Sequence, residues 1–177
     1  MAALGALADL LRAEGGLVGE AVVEPEGTGV TSCAAARTAA QGPRARGHEG
    51  EYELLVEAVY EGYLLHYGHA RVVRTADEDL GLLAGDQLYA LGLARLVELG
   101  DIESVGELAD IIALTARAHA VDNLELADAV WAAGAHALGW GSTPTHARAK
   151  AQARAGSPAA AAALRACVPD PARSPAP

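Results

Sequence analysis

The chain has 177 residues, is 51% apolar and carries a formal charge of −10, with no phenylalanine. That suffices for one core built from Leu, Val and Ala. It excludes a phosphate-binding nucleic-acid surface, which needs clustered Lys and Arg. Residues 50–140 hold sixteen acidic side chains against Arg71, Arg74, Arg95 and Arg117, whereas 141–177 hold five basic residues and one acid, Asp170. Cys33 and Cys167 form neither a metal spacing nor a disulfide framework. The N-terminus lacks a basic start followed by a long apolar run, and no segment reads as a membrane span. The expected setting is cytoplasmic and reducing.

Residues 2–13 place Leu4, Leu7 and Leu11 on one stripe of a short amphipathic helix ending at Gly15-Gly16. Residues 15–50, broken by Gly, Pro25 and Pro43, read as irregular, with a helical turn or two at Ala34–Ala40. So long a loop is expected to be mobile or ordered by a partner. The first strong helix spans 50–67, with Tyr52, Leu55, Val56, Val59, Tyr60, Tyr63 and Tyr67 along a wide apolar stripe. Glu53, Glu57 and Glu61 recur every four residues and repel by a few tenths of a kcal/mol per pair. They read as a solvated face or as a strip for a basic partner or cation.

Thr75 or Asp77 can cap the next helix, whose positive end suits Asp77, Glu78 and Asp79. That helix, Leu80 to Leu99, has few polar residues and reads as central and buried on all sides. Asp86 then shares a face with Leu82, Leu83, Tyr89, Ala90 and Leu93, and needs donors such as His66. Gly81, Gly85 and Gly92 fall on another face. Each costs roughly 0.8–1 kcal/mol relative to alanine, so their placement predicts close approach of a neighbouring helix.

Asp101 caps the following helix, with Val105, Leu108, Ile112, Thr115, Ala116 and His119 inward. Asp122 and Glu125 suit a capping box for residues 123–138, whose inner side is Leu124, Ala127, Val130, Trp131, Gly134 and Leu138, with Gly139 as the stop. Ser142-Thr143-Pro144 opens an Ala-rich basic helix with little to bury. Residues 156–177 read as a disordered tail with at most a turn at Ala159–Ala166. The expected division is 1–49 (short helix plus irregular segment), 50–140 (helical core), 141–155 (basic helix) and 156–177 (tail). No strand pattern occurs, so the fold class is all-α.

Chemistry-bearing motifs are sparse. There is no phosphate-cradling glycine loop and no Gly-x-Ser-x-Gly elbow. His66 and His69, with Asp86 or His119, are weak candidates for a metal site. Tyr60, Tyr63 and Tyr67 read as core and interface rather than a cofactor box. No cofactor is expected.

Two segments resemble the trans-polyprenyl diphosphate synthases. Glu57-Ala-Val-Tyr-Glu-Gly-Tyr-Leu-Leu-His66 is similar to the helix before that family's first Asp-rich motif. Leu82-Leu-Ala-Gly-Asp-Gln-Leu-Tyr-Ala-Leu-Gly-Leu-Ala-Arg-Leu96 is similar to its next helix. The resemblance covers residues 50 to about 120 and implies a partial isoprenoid-synthase-like helical bundle. Where the family carries magnesium-binding aspartates, this chain has Tyr67, Gly68 and His69, and tyrosine and glycine offer a hard cation no anionic oxygen. The Arg-Arg-Gly-x-Pro-Thr segment and the second Asp-rich motif are missing. Gln41-Gly-Pro-Arg-Ala-Arg is only faintly similar to the family's diphosphate grip and lies too close to the first helix. Without metal ligands the leaving diphosphate has no clamp.

Leu83-Ala-Gly-Asp-Gln-Leu-Tyr-Ala-Leu, Leu99-Gly-Asp-Ile102 and Leu108-Ala-Asp-Ile-Ile112 are similar to the non-catalytic component 1 of two-part heptaprenyl diphosphate synthases. The resemblance implies a subunit without catalytic residues that pairs with a catalytic prenyl synthase, or with itself. Glu57, Tyr60, Tyr63, His66, Tyr67, Gly85, Asp86 and Tyr89 are then structural or interface residues. Two alternatives are a helical interaction module outside prenyl chemistry, and a metal-dependent enzyme using His66, His69 and Asp86.

Overall fold

A computed structural model describes residues 3–25 and 31–169. The described residues form helices α1 (Ala3–Glu14), α2 (Gly16–Glu20), α3 (Ala34–Gln41), α4 (Glu49–Tyr67), α5 (Glu78–Glu98), α6 (Ile102–Ala120), α7 (Leu124–Trp140), α8 (Pro144–Arg154) and α9 (Ala160–Arg165), with a 3-10 turn at Pro43–Ala45. The fold is all-α. The sole pairing of extended backbone among the described residues is an antiparallel bridge between Val22 and Val73.

Helix α4 separates two apolar clusters. On one side Leu55, Val56 and Val59 belong to a cluster shared with α3, α6, α7 and α9. On the other, Ala58 meets the α1 stripe of Leu4, Leu7 and Leu11, together with Val72, Val73, Ala84 and Leu88. The helices buried on nearly all sides are therefore α4 and α7, and α5 is not. Helix α5 buries one strip, Gly81, Ala84, Gly85, Leu88, Gly92 and Leu96, while Leu82, Leu83 and Val97 are exposed. Its apolar composition misled the sequence reading because glycine and alanine bury a face without adding bulk. By length and composition alone α5 is long and apolar enough to cross a membrane, and 28% of that stretch is buried.

The glycine face does bring a neighbour close. A Cβ on Gly92 would lie 2.3 Å from Val59 Cγ2 and 3.0 Å from the Leu55 carbonyl oxygen. One on Gly85 would lie 2.6 Å from His66 Nε2.

Caps mark the helix starts. Asp77, Asp101 and Thr143 accept from the backbone N–H three residues on, as their positions predict. For α7 the cap is Asn123, bonded to Leu126 N at 2.9 Å, and not Asp122, which sits at φ 52° in the turn. Helix α7 also outruns Gly139 and ends at Gly141, whose φ is 91°. Leu124 is exposed rather than inward. In α6 the buried face is rotated toward Ser104, Glu107, Ile111, Leu114 and Ala118.

Two segments expected to be loose are packed. Ala35, Ala36, Ala39 and Ala40 of α3 are buried where α3 meets α4 and α7. A Cβ on Gly139 would lie 2.7 Å from the Ala39 carbonyl, so this approach leaves no room for a side chain at Gly139. The α9 residues Ala160, Ala161 and Leu164 complete the same core. The basic helix α8 buries His146, Ala149 and Ala153. Lys150 reaches Glu107 and Asp110, and His146 Nε2 lies 2.7 Å from Glu107 Oε1, so α8 is clipped to α6 by charge. The expected tail over 170–177 lies outside the described residues.

Candidate functional site

The most elaborate polar structure is centred on α4. Glu57 and Glu61 are fully buried, not solvated. A helix with apolar neighbours on both flanks, here Leu54 and Ala58 as well as Val56 and Val59, has no solvent face to give them. Burying a carboxylate is costly unless its oxygens find donors. Arg71, from the α4–α5 connection, serves both: Nη2 bonds Glu57 Oε1, and Nε lies 3.0 Å from Glu61 Oε2. The other oxygens take backbone N–H groups, Cys33 at 2.7 Å on Glu57, and Arg71 and Val72 on Glu61.

The cluster thus ties the start of α3 and the connection 71–73 to α4. The bridge segment adds to it, with Val23 N donating to Val72 O at 2.8 Å and Arg74 N to Ala21 O at 3.0 Å. Burial first, and then the Glu57 charge, push the Cys33 thiol up to about 12. It is held as an inert thiol.

Next to this cluster the aromatic side chains gather. Tyr60 and Tyr63 are 5.7 Å apart, and Trp131 of α7 meets them edge-on at 5.0 and 5.5 Å. Tyr67 stacks on His119 at 4.1 Å, and Tyr63 Oη lies 2.8 Å from His119 Nε2. Burial raises the phenols of Tyr60 and Tyr63, with Asp128 among the charges adding to it. Burial likewise raises Tyr89.

His66 stacks on Tyr89 at 5.2 Å over Gly85. Its Nε2 is 3.2 Å from Asp86 Oδ1, close but without the alignment of a hydrogen bond. Asp86 is the expected partner, yet its side chain is 71% exposed, so it bears no burial cost. The expectation of a buried Asp86 is corrected, because the face it occupies looks outward.

His69 is exposed and lines a separate cavity of about 690 Å³ at the α4–α5 connection. Among the described residues no three of His, Cys, Asp and Glu are placed to hold a metal ion. The His66, His69 and Asp86 set is therefore not assembled. Glu57 and Glu61 cannot replace it, because Arg71 and backbone donors occupy their oxygens.

Sequence reading found the tyrosines, His66 and Gly85 but missed Arg71, Cys33, His119, Trp131 and Asp128 as their companions. For Arg71 a signal existed: two glutamates on a helix apolar all round require a cation, and few are available between residues 50 and 140.

Comparison with protein-family models, curated proteins and solved structures found no match.

Proposed function

We propose that this chain is a non-catalytic, isoprenoid-synthase-like helical subunit that pairs with a catalytic polyprenyl diphosphate synthase. The observation that carries the reading is the contact between the two motif-bearing segments. Glu57–His66 and Leu82–Leu96 lie side by side in α4 and α5, with Gly85 against His66 and Gly92 against Val59. The end of α4, where the resembling family holds cations, has Tyr67, Gly68 and His69. The nearest buried carboxylates on α4, Glu57 and Glu61, are occupied from within by Arg71 and by backbone N–H groups. Without ligands for the diphosphate-bound metal, such a scaffold contributes shape rather than ionisation.

The test is co-expression with the catalytic synthase of the same organism. Co-purification and an altered product chain length are expected. Unaided condensation of isopentenyl units by this chain overturns the reading, as does the lack of any effect on a synthase. The proposed setting is cytoplasmic, in keeping with two free thiols, Cys33 and Cys167.

The exposed apolar residues of α5, Leu82, Leu83 and Val97, favour a second reading, a helical interaction module outside prenyl chemistry. A stable homodimer by light scattering, with no effect on any synthase, selects it.

A further inference from the structure

A cavity of about 260 Å³ opens on the flank of the aromatic cluster, between α3, α4 and α7. Its aromatic walls are Tyr60, Tyr63 and Trp131, and its charged group is Asp128. Asp128 and Trp131 are three residues apart on α7, as Tyr60 and Tyr63 are on α4, so each pair projects from one helix face. Small side chains, Ala34, Thr38 and Ala132 among them, line the space beside the rings.

Aromatic rings present negative charge on their faces and attract cations. The fold already exploits this once, with the Arg71 guanidinium carbon 5.3 Å from the Tyr60 ring centroid. That guanidinium is matched by two carboxylates, Glu57 and Glu61, so it leaves Asp128 uncompensated. Asp128 is exposed and has no hydrogen bond or ion pair among the described residues. The site therefore combines aromatic walls, one free carboxylate, Thr38 and otherwise apolar lining.

A metal ion would need several oxygen or nitrogen donors, and one carboxylate does not supply them. A nucleotide or drug-sized ligand needs roughly 300–1,000 Å³. What fits is a compact, weakly hydrated cation, which gives up little hydration on meeting apolar walls. We propose that this cavity binds a quaternary or methylated ammonium group, held by the rings of Tyr60, Tyr63 and Trp131 and balanced by Asp128. The inference is independent of the prenyl-synthase reading.

The group can reach the cavity on a free solute or on a modified lysine. The test titrates the full chain, carrying Trp140→Phe so that Trp131 alone reports, with choline and with a short trimethyl-lysine peptide. A saturable change in tryptophan fluorescence is expected with at least one of them, and the tighter of the two names the source. The neutral analogue 3,3-dimethylbutan-1-ol has the shape of choline without its charge, and is expected to bind at least about tenfold more weakly. Asp128→Asn, at an exposed position that leaves the fold intact by circular dichroism, is expected to weaken the cation by about fivefold or more. Equal binding of the neutral analogue, an unchanged affinity in Asp128→Asn, or no saturation by either cation in the millimolar range overturns the proposal.

Discussion

Arg71 Nε lies 3.0 Å from Glu61 Oε2, and Glu61 is fully buried. The same guanidinium serves Glu57, so one side chain pairs with two interior carboxylates. Removing the cation leaves both without their charge partner, and breaking a buried pair from one side costs about 3–5 kcal/mol. Arg71→Leu is therefore expected to lose about that much in urea unfolding. Adding Glu57→Gln and Glu61→Gln to Arg71→Leu is expected to recover part of the loss, because the penalty belongs to the unpaired charge. Loss below about 1 kcal/mol in the single variant refutes the account.

Glycines of similar sequence context should respond oppositely to alanine. Gly92→Ala places a methyl 2.3 Å from Val59 Cγ2 and 3.0 Å from the Leu55 carbonyl. Overpacking of that kind costs about 1–3 kcal/mol, which outweighs the helix-propensity gain. Gly106, on the exposed side of α6, has nothing within 4 Å of an added Cβ. Gly106→Ala is expected to stabilise by up to about 1 kcal/mol. Thermal melts of the two variants read the difference in sign.

The cap of α7 is a third test. Asn123 Oδ1 accepts from Leu126 N at 2.9 Å, and replacing such a cap with alanine costs about 0.5–2 kcal/mol. Asn123→Ala is expected to lose about 1 kcal/mol. Asp122→Gly is expected to lose nothing, because Asp122 occupies a left-handed turn position that glycine tolerates better. The reverse outcome would return the cap to Asp122.

Acid should weaken the fold through Asp101 and Asp110. Burial alone would raise both, but for Asp101 it is outweighed by hydrogen bonds from Tyr52 and Ser104 and the Arg44 charge, and for Asp110 by Arg154 and Lys150. Both therefore lie below their ordinary value of 3.8. A carboxylate with a depressed folded value stabilises fully above its unfolded value and loses that contribution as pH falls through the folded one. The melting temperature is expected to drop below pH 3.8, and Asp101→Asn and Asp110→Asn are each expected to make that drop shallower. Unchanged slopes in the variants would assign acid sensitivity elsewhere.

Local signals carried much of the architecture. Helix class, the α1 stripe and the caps at Asp77, Asp101 and Thr143 rest on neighbours within four positions, and sequence displays these directly; the glycine face of α5 showed where a neighbour comes close but not that the neighbour is α4. Burial was less legible. Period alone cannot distinguish a helix apolar because it is surrounded, as α4 is, from one apolar on an unpartnered side, as α5 is. The α3 and α9 segments read as irregular chain and disordered tail, yet both pack on α7, and at Gly139 the missing side chain lets the Ala39 carbonyl come close.

The sequence by itself determined where helices begin and which residue types could touch at one turn's distance, because those interactions close over a few residues. Only the tertiary structure decided that Glu57 and Glu61 are interior, that Arg71 folds back onto them, and that Asp128 stands beside Tyr60, Tyr63 and Trp131. These pairings bridge separate helices, and their energy depends on desolvation, which is set by what the rest of the chain places around them.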